Sequence, residues 1–242
     1  TGVQTCALPI CKKLILRNGV FAKCTALERV KLPGRINTDK DGTNYFYGCK
    51  SLKDISVEDN ASYISAEGIL YLKTPEGLML VTYPGGKAGK EISLPAKIGE
   101  DSIVTLGAHS MRNLTAVNKI VLPDTVKTFK RYCINGCADL KRIVIKSKII
   151  EIGEYTSAFA GMAPDSVIEV ATEELKTFME GKSDAYTSSN TTIEVGGAQA
   201  NPGDMNEDGK LDLLDIIWIQ KHYGITDQDV EWTNVAKADL NK

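Results

Sequence analysis

A ladder of apolar residues recurs along the chain and limits what it can fold into. Phe21, Cys24, Leu27, Val30 and Leu32 are spaced by three, three, three and two. The ladder returns 25 residues on as Phe46, Cys49, Leu52, Ile55 and Val57. It returns again as Met111, Leu114, Val117, Ile120 and Leu122, and 23 residues later as Ile134, Cys137, Leu140, Ile143 and Ile145. A weaker copy is Phe159, Met162, Ile168 and Val170, with Asp165 in the slot that usually holds Leu. A step of two puts both side chains on one face of a short strand, and steps of three suit a tight arc with its apolar side inward. One such unit cannot bury its face alone, so neighbouring units must stack into a solenoid. The tetrapeptides VKLP (30–33), ISLP (92–95) and IVLP (120–123) mark strand exits, where proline stops the ladder. Ile92 and Leu94 are therefore a sixth rung whose preceding arc is altered.

Between the second and third copies, GILYLK (68–73) and LMLVTY (78–83) flank TPEG, with Pro and Gly where a type I turn favours them. This predicts a β-hairpin insertion at about 66–85, protruding from the solenoid edge. Cys24, Cys49 and Cys137 share one slot with Leu114 and Met162. A slot that accepts Cys, Leu or Met is an apolar pocket, which favours buried free thiols over disulfides; Cys133 lies outside the ladder and stays open. The Phe-x-x-Cys-x-x-Leu-x-x-Val-x-Leu-Pro ladder resembles the BspA-type leucine-rich repeats of bacterial surface and secreted proteins, over about residues 14–195. That resemblance implies a β-rich, α+β leucine-rich-repeat solenoid, often with an inserted hairpin, and roles in adhesion and protein binding at the bacterial cell surface or outside the cell. It names no ligand for the repeats.

Both termini are read separately from the solenoid, placed at 11–195. Gly2 to Ile10 resembles the translation of a common sequencing-library adapter, so residues 1–10 are set apart, and an N-terminal secretion signal lies beyond what this sequence would display. At the other end, 196–202 (GGAQANP) reads as a linker. In the segment that follows, 203–242, the run GDMNEDGKLDLLD opens with side-chain oxygens in a fixed register. Counting from Asp204, they fall at positions 1 (Asp204), 3 (Asn206), 5 (Asp208), 9 (Asp212) and 12 (Asp215). Gly209 stands at position 6, where an EF-hand loop turns sharply, and Lys210 at 7 can offer its backbone carbonyl. Oxygens so spaced wrap a hard cation of Ca²⁺ size, and the ion relieves the repulsion among them. The departure is Asp rather than Glu at position 12. A helix, LLDIIWIQKHYG, follows the loop, and no entering helix precedes it; this is the F-hand half of an EF-hand, a small α-helical calcium-loop module. ADLNK (238–242) begins a second copy, with Asp239 and Asn241 at positions 1 and 3.

A loop-helix unit with the start of a second resembles a type I dockerin whose second repeat is truncated. The resemblance implies calcium at Asp204, Asn206, Asp208, Lys210, Asp212 and Asp215, and a cohesin domain of a scaffold protein as partner. It places the partner-reading positions on Leu213 and Leu214, then on Gln220 and Lys221. Spacing adds Ile217, because 213/214, 217 and 220/221 share one helix face. Leu213 and Leu214 can equally pack into a small core, as Ile216, Ile219 and Tyr223 do. A unit of about 40 residues rarely folds without a metal, disulfides or a partner.

Little else points to chemistry. The net charge of −2, with no Lys/Arg block, argues against electrostatic binding of nucleic acid, and no apolar run approaches the roughly 18 residues of a membrane span. His109 and His222 read as surface residues without a nucleophile or carboxylate partner, no serine sits in a G-x-S-x-G setting, and Glu173 and Glu174 read as a solvated face. The sequence thus suggests a non-catalytic binding module tethered by a calcium-dependent dockerin. Two alternatives remain: a fragment of a dockerin-tethered hydrolase (a carbohydrate-active enzyme or protease) whose catalytic module stood upstream, and a calcium loop that only stabilises the solenoid end.

Overall fold

The computed structural model describes residues 5–7, 14–38, 44–59, 62–148, 150–152, 157–181, 190–196 and 217. The chain divides into two compact units, Thr1–Gly196 and Gly197–Lys242. The first is the solenoid.

Each rung of the ladder becomes a strand. β1 (Thr5–Ala7), β3 (Arg29–Leu32) and β5 (Asp54–Val57) form one parallel sheet. β9 (Glu91–Ser93), β12 (Lys119–Leu122), β14 (Arg142–Ile145), β16 (Val167–Val170) and β17 (Thr192–Val195) form a second, also parallel. The register stacks like on like: Val30 pairs with Ile55, Ile92 with Ile120, Ile120 with Ile143, and Ile143 with Ile168. Burial alternates along β12, β14 and β16, so one face is core and the other is wet. The sixth rung at Ile92 is present, and two further rungs extend the ladder. One is Ile193 on β17, in register with Ile168. The other is β1, which lies in the stretch set apart above yet pairs with β3 in the repeat's own register, Cys6 opposite Val30.

Further strands lie against the same core. β2 (Leu14–Leu16) pairs with β4 (Ile36–Thr38). A seven-stranded sheet runs through β15 (Glu151–Ile152), β13 (Thr128–Phe129), β11 (Asp101–Leu106), β8 (Gly77–Thr82), β7 (Ile69–Thr74) and β6 (Tyr63–Ala66), with β10 (Lys97–Ile98) beside β11. Arcs join the walls and stack through their own backbones: the N–H groups of Phe21, Met111 and Ile134 donate to the carbonyls of Tyr45, Cys133 and Ala158 in the next coil. Each arc turns on a left-handed residue just ahead of the Cys/Leu/Met slot, namely Lys23, Gly48, Asn113, Gly136 and Gly161, with φ between 55° and 77°. Four residues earlier, Gly19, His109, Tyr132 and Ser157 are left-handed too.

The inserted hairpin departs from expectation. It does not protrude; it is built into the wall, with β8 pairing in parallel with β11. Its strands carry unbroken apolar runs, and alternate residues serve two different cores. Ile69, Tyr71, Leu78 and Leu80 pack with the C-terminal coils, whereas Leu70, Met79 and Val81 pack with the N-terminal ones. A protruding hairpin would leave one of these faces in water. A second turn, Glu67-Gly68, joins β6 to β7 with φ of 51° and 77°, the pair of positive values that a type I′ turn requires.

At single residues, one expectation changes and one open position is settled. Cys24 is exposed, whereas Cys49 and Cys137 are buried in the same slot. Cys133 is buried as well, and Cys24, Cys49, Cys133 and Cys137 are free thiols. Glu173 and Glu174 form the first turn of α1 (Glu173–Glu180), capped by Thr172, whose Oγ1 accepts from the Leu175 N–H at 3.2 Å. Both are exposed, as expected of a solvated face, and their charges lie at the positive end of the helix.

Candidate functional site

The calcium candidates Asp204, Asn206, Asp208, Lys210, Asp212, Asp215, Asp239 and Asn241 lie outside the described residues, as do Leu213, Leu214, Gln220, Lys221 and His222. Ile217 alone of that group is described: it is helical and 48% exposed. The site that the described residues do form lies in the solenoid, at its one altered arc.

Counted back from Ile92, the ladder slots of that arc hold Gly89, Gly86 and Tyr83. Two glycines stand where other coils place Cys, Leu or Val. The thin arc is clamped between its neighbours: Gly86 N–H donates to Leu52 O at 2.7 Å, and Tyr83 N–H to Ser110 O at 2.8 Å. A Cβ on Gly86 would stand 2.6 Å from Ser51 O, so only glycine fits. With no side chains to fill the gap, the full-sized arcs on either side, around residues 44–52 and 109–114, leave a shallow open cleft. Tyr47, Lys50, Tyr83, His109, Ser110 and Arg112 are among its lining residues, and no Asp or Glu is.

Arg112 is the centre of this cleft. Its guanidinium lies 5.1 Å from the Tyr47 ring centroid and 5.2 Å from that of Tyr132, joining three arcs by cation–π contacts. Arg131 approaches the same Tyr132 ring at 5.4 Å. His109, which the sequence placed on the surface, is half-buried, with its ring 5.2 Å from Tyr132. Burial, then the nearby Arg112 and Arg131 cations, lower its pKa to about 4. At neutral pH the ring is therefore uncharged, and Nδ1 accepts from Arg112 Nη1 at 3.2 Å. Three buried polar atoms here have no hydrogen-bond partner among the described residues: Asn44 Oδ1, Ser110 Oγ and Arg112 Nε. Ser110 is only 2% exposed. Such groups cost free energy unless something satisfies them, so the cleft is suited to a polar ligand.

The thiols beside it are inert. Cys49 Sγ donates to Phe21 O at 3.0 Å and Cys137 Sγ to Met111 O at 3.2 Å, the same bond one slot apart in two coils. Burial pushes both thiols up, Cys137 to about 11, and Cys133 rises for the same reason. The sequence signal for the cleft is the glycine pair at 86 and 89 in ladder register; the convergence of Tyr47, Arg112 and Tyr132 has no local signature.

Among known protein families, the BspA type leucine-rich repeat region matches in six copies, over residues 5–71 and 90–179. No curated protein matches. The solved structures similar to this chain include the pneumococcal vaccine antigen PcpA, 20% identical over 75% of this chain and 59% of that one, with a TM-score of 0.41. A leucine-rich cell-surface protein from Faecalibacterium prausnitzii is 18% identical over 77% of this chain and 58% of that one, with a TM-score of 0.46. A leucine-rich repeat protein from Eubacterium ventriosum is 18% identical over 70% and 49%, with a TM-score of 0.41. This chain thus spans about half to three-fifths of those proteins. With the family pattern matching more than half of its residues, and with its rungs stacked in that pattern's register, the chain belongs to the BspA-type leucine-rich repeat family.

Proposed function

We propose that the chain is a non-catalytic, extracellular or cell-surface binding module of bacterial origin. The repeats present a protein-recognition surface, and a calcium-dependent dockerin at 203–242 anchors it to a cohesin-bearing scaffold or cell surface. Membership of a family of surface repeats supports the first half. The second half rests on one observation: five side-chain oxygens, a glycine and a backbone carbonyl fall in calcium-loop register between Asp204 and Asp215. Asp239 and Asn241 open a second loop, and Leu213, Leu214, Ile217, Gln220 and Lys221 are the face that meets the cohesin. Among the described residues no helix is long and apolar enough to cross a membrane. The test is capture of the whole chain by immobilised cohesins with Ca²⁺ and with chelator. Capture should require calcium and fall at least tenfold in Leu213→Asp. Capture that ignores both chelator and substitution would remove the dockerin from this account.

A further inference from the structure

We propose that the seam cleft around Arg112 is a carboxylate-binding site, and that its occupant is an aspartate or glutamate side chain of a peptide segment on the protein that the repeats recognise. The proposal rests on the reading of the repeats as a protein-binding surface and names the group they would read at this place.

Two cations, Arg112 and Arg131, converge on one tyrosine ring, and neither belongs to an ion pair among the described residues. The cleft lining offers no carboxylate of its own to balance them, and it adds Lys50. Arg112 is half-buried, so its charge is costly until an opposite charge arrives, while the exposed Arg131 and Lys50 add to the positive field at the mouth. The hydrogen-bonding capacity left over has a definite shape. Arg112 spends Nη1 on His109 and keeps Nε unpartnered within the wall of the cleft, so an incoming carboxylate meets a guanidinium that has no counter-ion of its own. Ser110 Oγ, in the same lining, is likewise buried without a partner among the described residues. Stacking between Tyr47 and Tyr132 holds the fork still, so less side-chain freedom is lost on binding. The third orphan, Asn44 Oδ1, is an acceptor in the same lining, so the cleft wants a donor as well as a carboxylate. An acidic residue in an extended peptide brings both, the carboxylate on its side chain and the N–H on its backbone.

A uronic acid would carry a carboxylate beside hydroxyl donors. A sugar ring, however, binds by stacking on an open aromatic face. Here Arg112 covers a face of Tyr47 and of Tyr132, while Phe46 is stacked on Phe21 at 5.2 Å and 2°. Tyr83 adds a further aromatic ring to the lining, so the choice of a peptide rests on the reading of the repeats as a protein-binding surface, and glucuronate is the competing ligand in the test.

The experiment titrates the full chain with a Gly/Glu hexapeptide, with the same peptide carrying Gln for Glu, and with glucuronate, all at matched ionic strength. The Glu peptide should bind saturably and at least tenfold more tightly than its Gln counterpart. Arg112→Lys, which keeps the charge but loses the fork, and Ser110→Ala should each weaken it severalfold, with the unfolding midpoint of each variant measured alongside. Equal affinity for the Glu and Gln peptides would overturn the proposal. So would full affinity in both folded variants, and so would tighter binding of glucuronate than of the Glu peptide. Cohesin capture reads the other unit of the chain, so a failure there leaves this test standing and the reverse holds too.

Discussion

At the scale of single residues, the solenoid depends on positions where backbone and charge leave little choice. Gly136 sits at φ +74°, and a Cβ there would overlap Asn113 Oδ1 in the preceding arc. Gly99 has φ +59° and open space around it. Alanine at either must adopt a left-handed backbone, but only at 136 must it also displace a neighbour. Gly99→Ala should therefore cost about 1 kcal/mol and Gly136→Ala about 2–3 kcal/mol in denaturant unfolding; equal losses would mean that the arcs are not packed as described. His109 makes a second prediction. Its folded pKa of about 4 lies below the ordinary 6.5, so the unfolded chain takes up the proton first. Its contribution to stability is complete above pH 6.5 and is lost progressively as pH falls from there toward 4. Urea midpoints measured at roughly pH 7 and roughly pH 4.5 should drop further for the wild type than for His109→Gln. A parallel drop would place the imidazole in water.

At the scale of elements, the hairpin β7–β8 is the piece that joins two cores. β5 and β9 do not pair, so the rung sheet is broken between them, and the hairpin's two apolar faces span the break. Leu80 and Leu70 point to opposite cores, and both are fully buried. Each should cost about 2–5 kcal/mol as alanine, whereas on a projecting hairpin such changes usually stay within about 0.5 kcal/mol. Losses of the smaller size at both positions would restore the projecting hairpin. The same elements indicate what the sequence discloses. Period-two rungs such as Ile120/Leu122 and Ile143/Ile145 are legible because one face is buried and the other wet. The runs GILYLK and LMLVTY disclose a hairpin but not its placement, since a strand apolar on both faces carries no alternation to say which side is out. Glycines 48, 136 and 161 recur in one slot and announce the left-handed turn, yet Lys23 and Asn113 occupy that slot as well and hide the rule. The cleft was least legible: Tyr47, Arg112 and Tyr132 come from three arcs and meet only once the coils stack.

At the scale of the whole molecule, the two units should answer to different variables. A solenoid draws its stability from contacts between neighbouring coils, and the described coils fill their cores with apolar side chains rather than ions. On the proposed reading, the unit from Gly197 onward folds around calcium; at a hundredfold excess over the dissociation constant the ion would add about 2.7 kcal/mol to that unit alone. Calorimetric scans of the full chain, with calcium and with chelator, separate the cases. The expected result is two transitions, of which the one belonging to the C-terminal unit moves up with calcium while the solenoid midpoint stays fixed. A calcium shift in the solenoid transition would instead make the loop a clasp for the repeat end. Scans that superimpose in every respect would mean that the carboxylates of 204–215 hold no ion, and the repeat surface with its cleft would be the binding feature left in this stretch of chain.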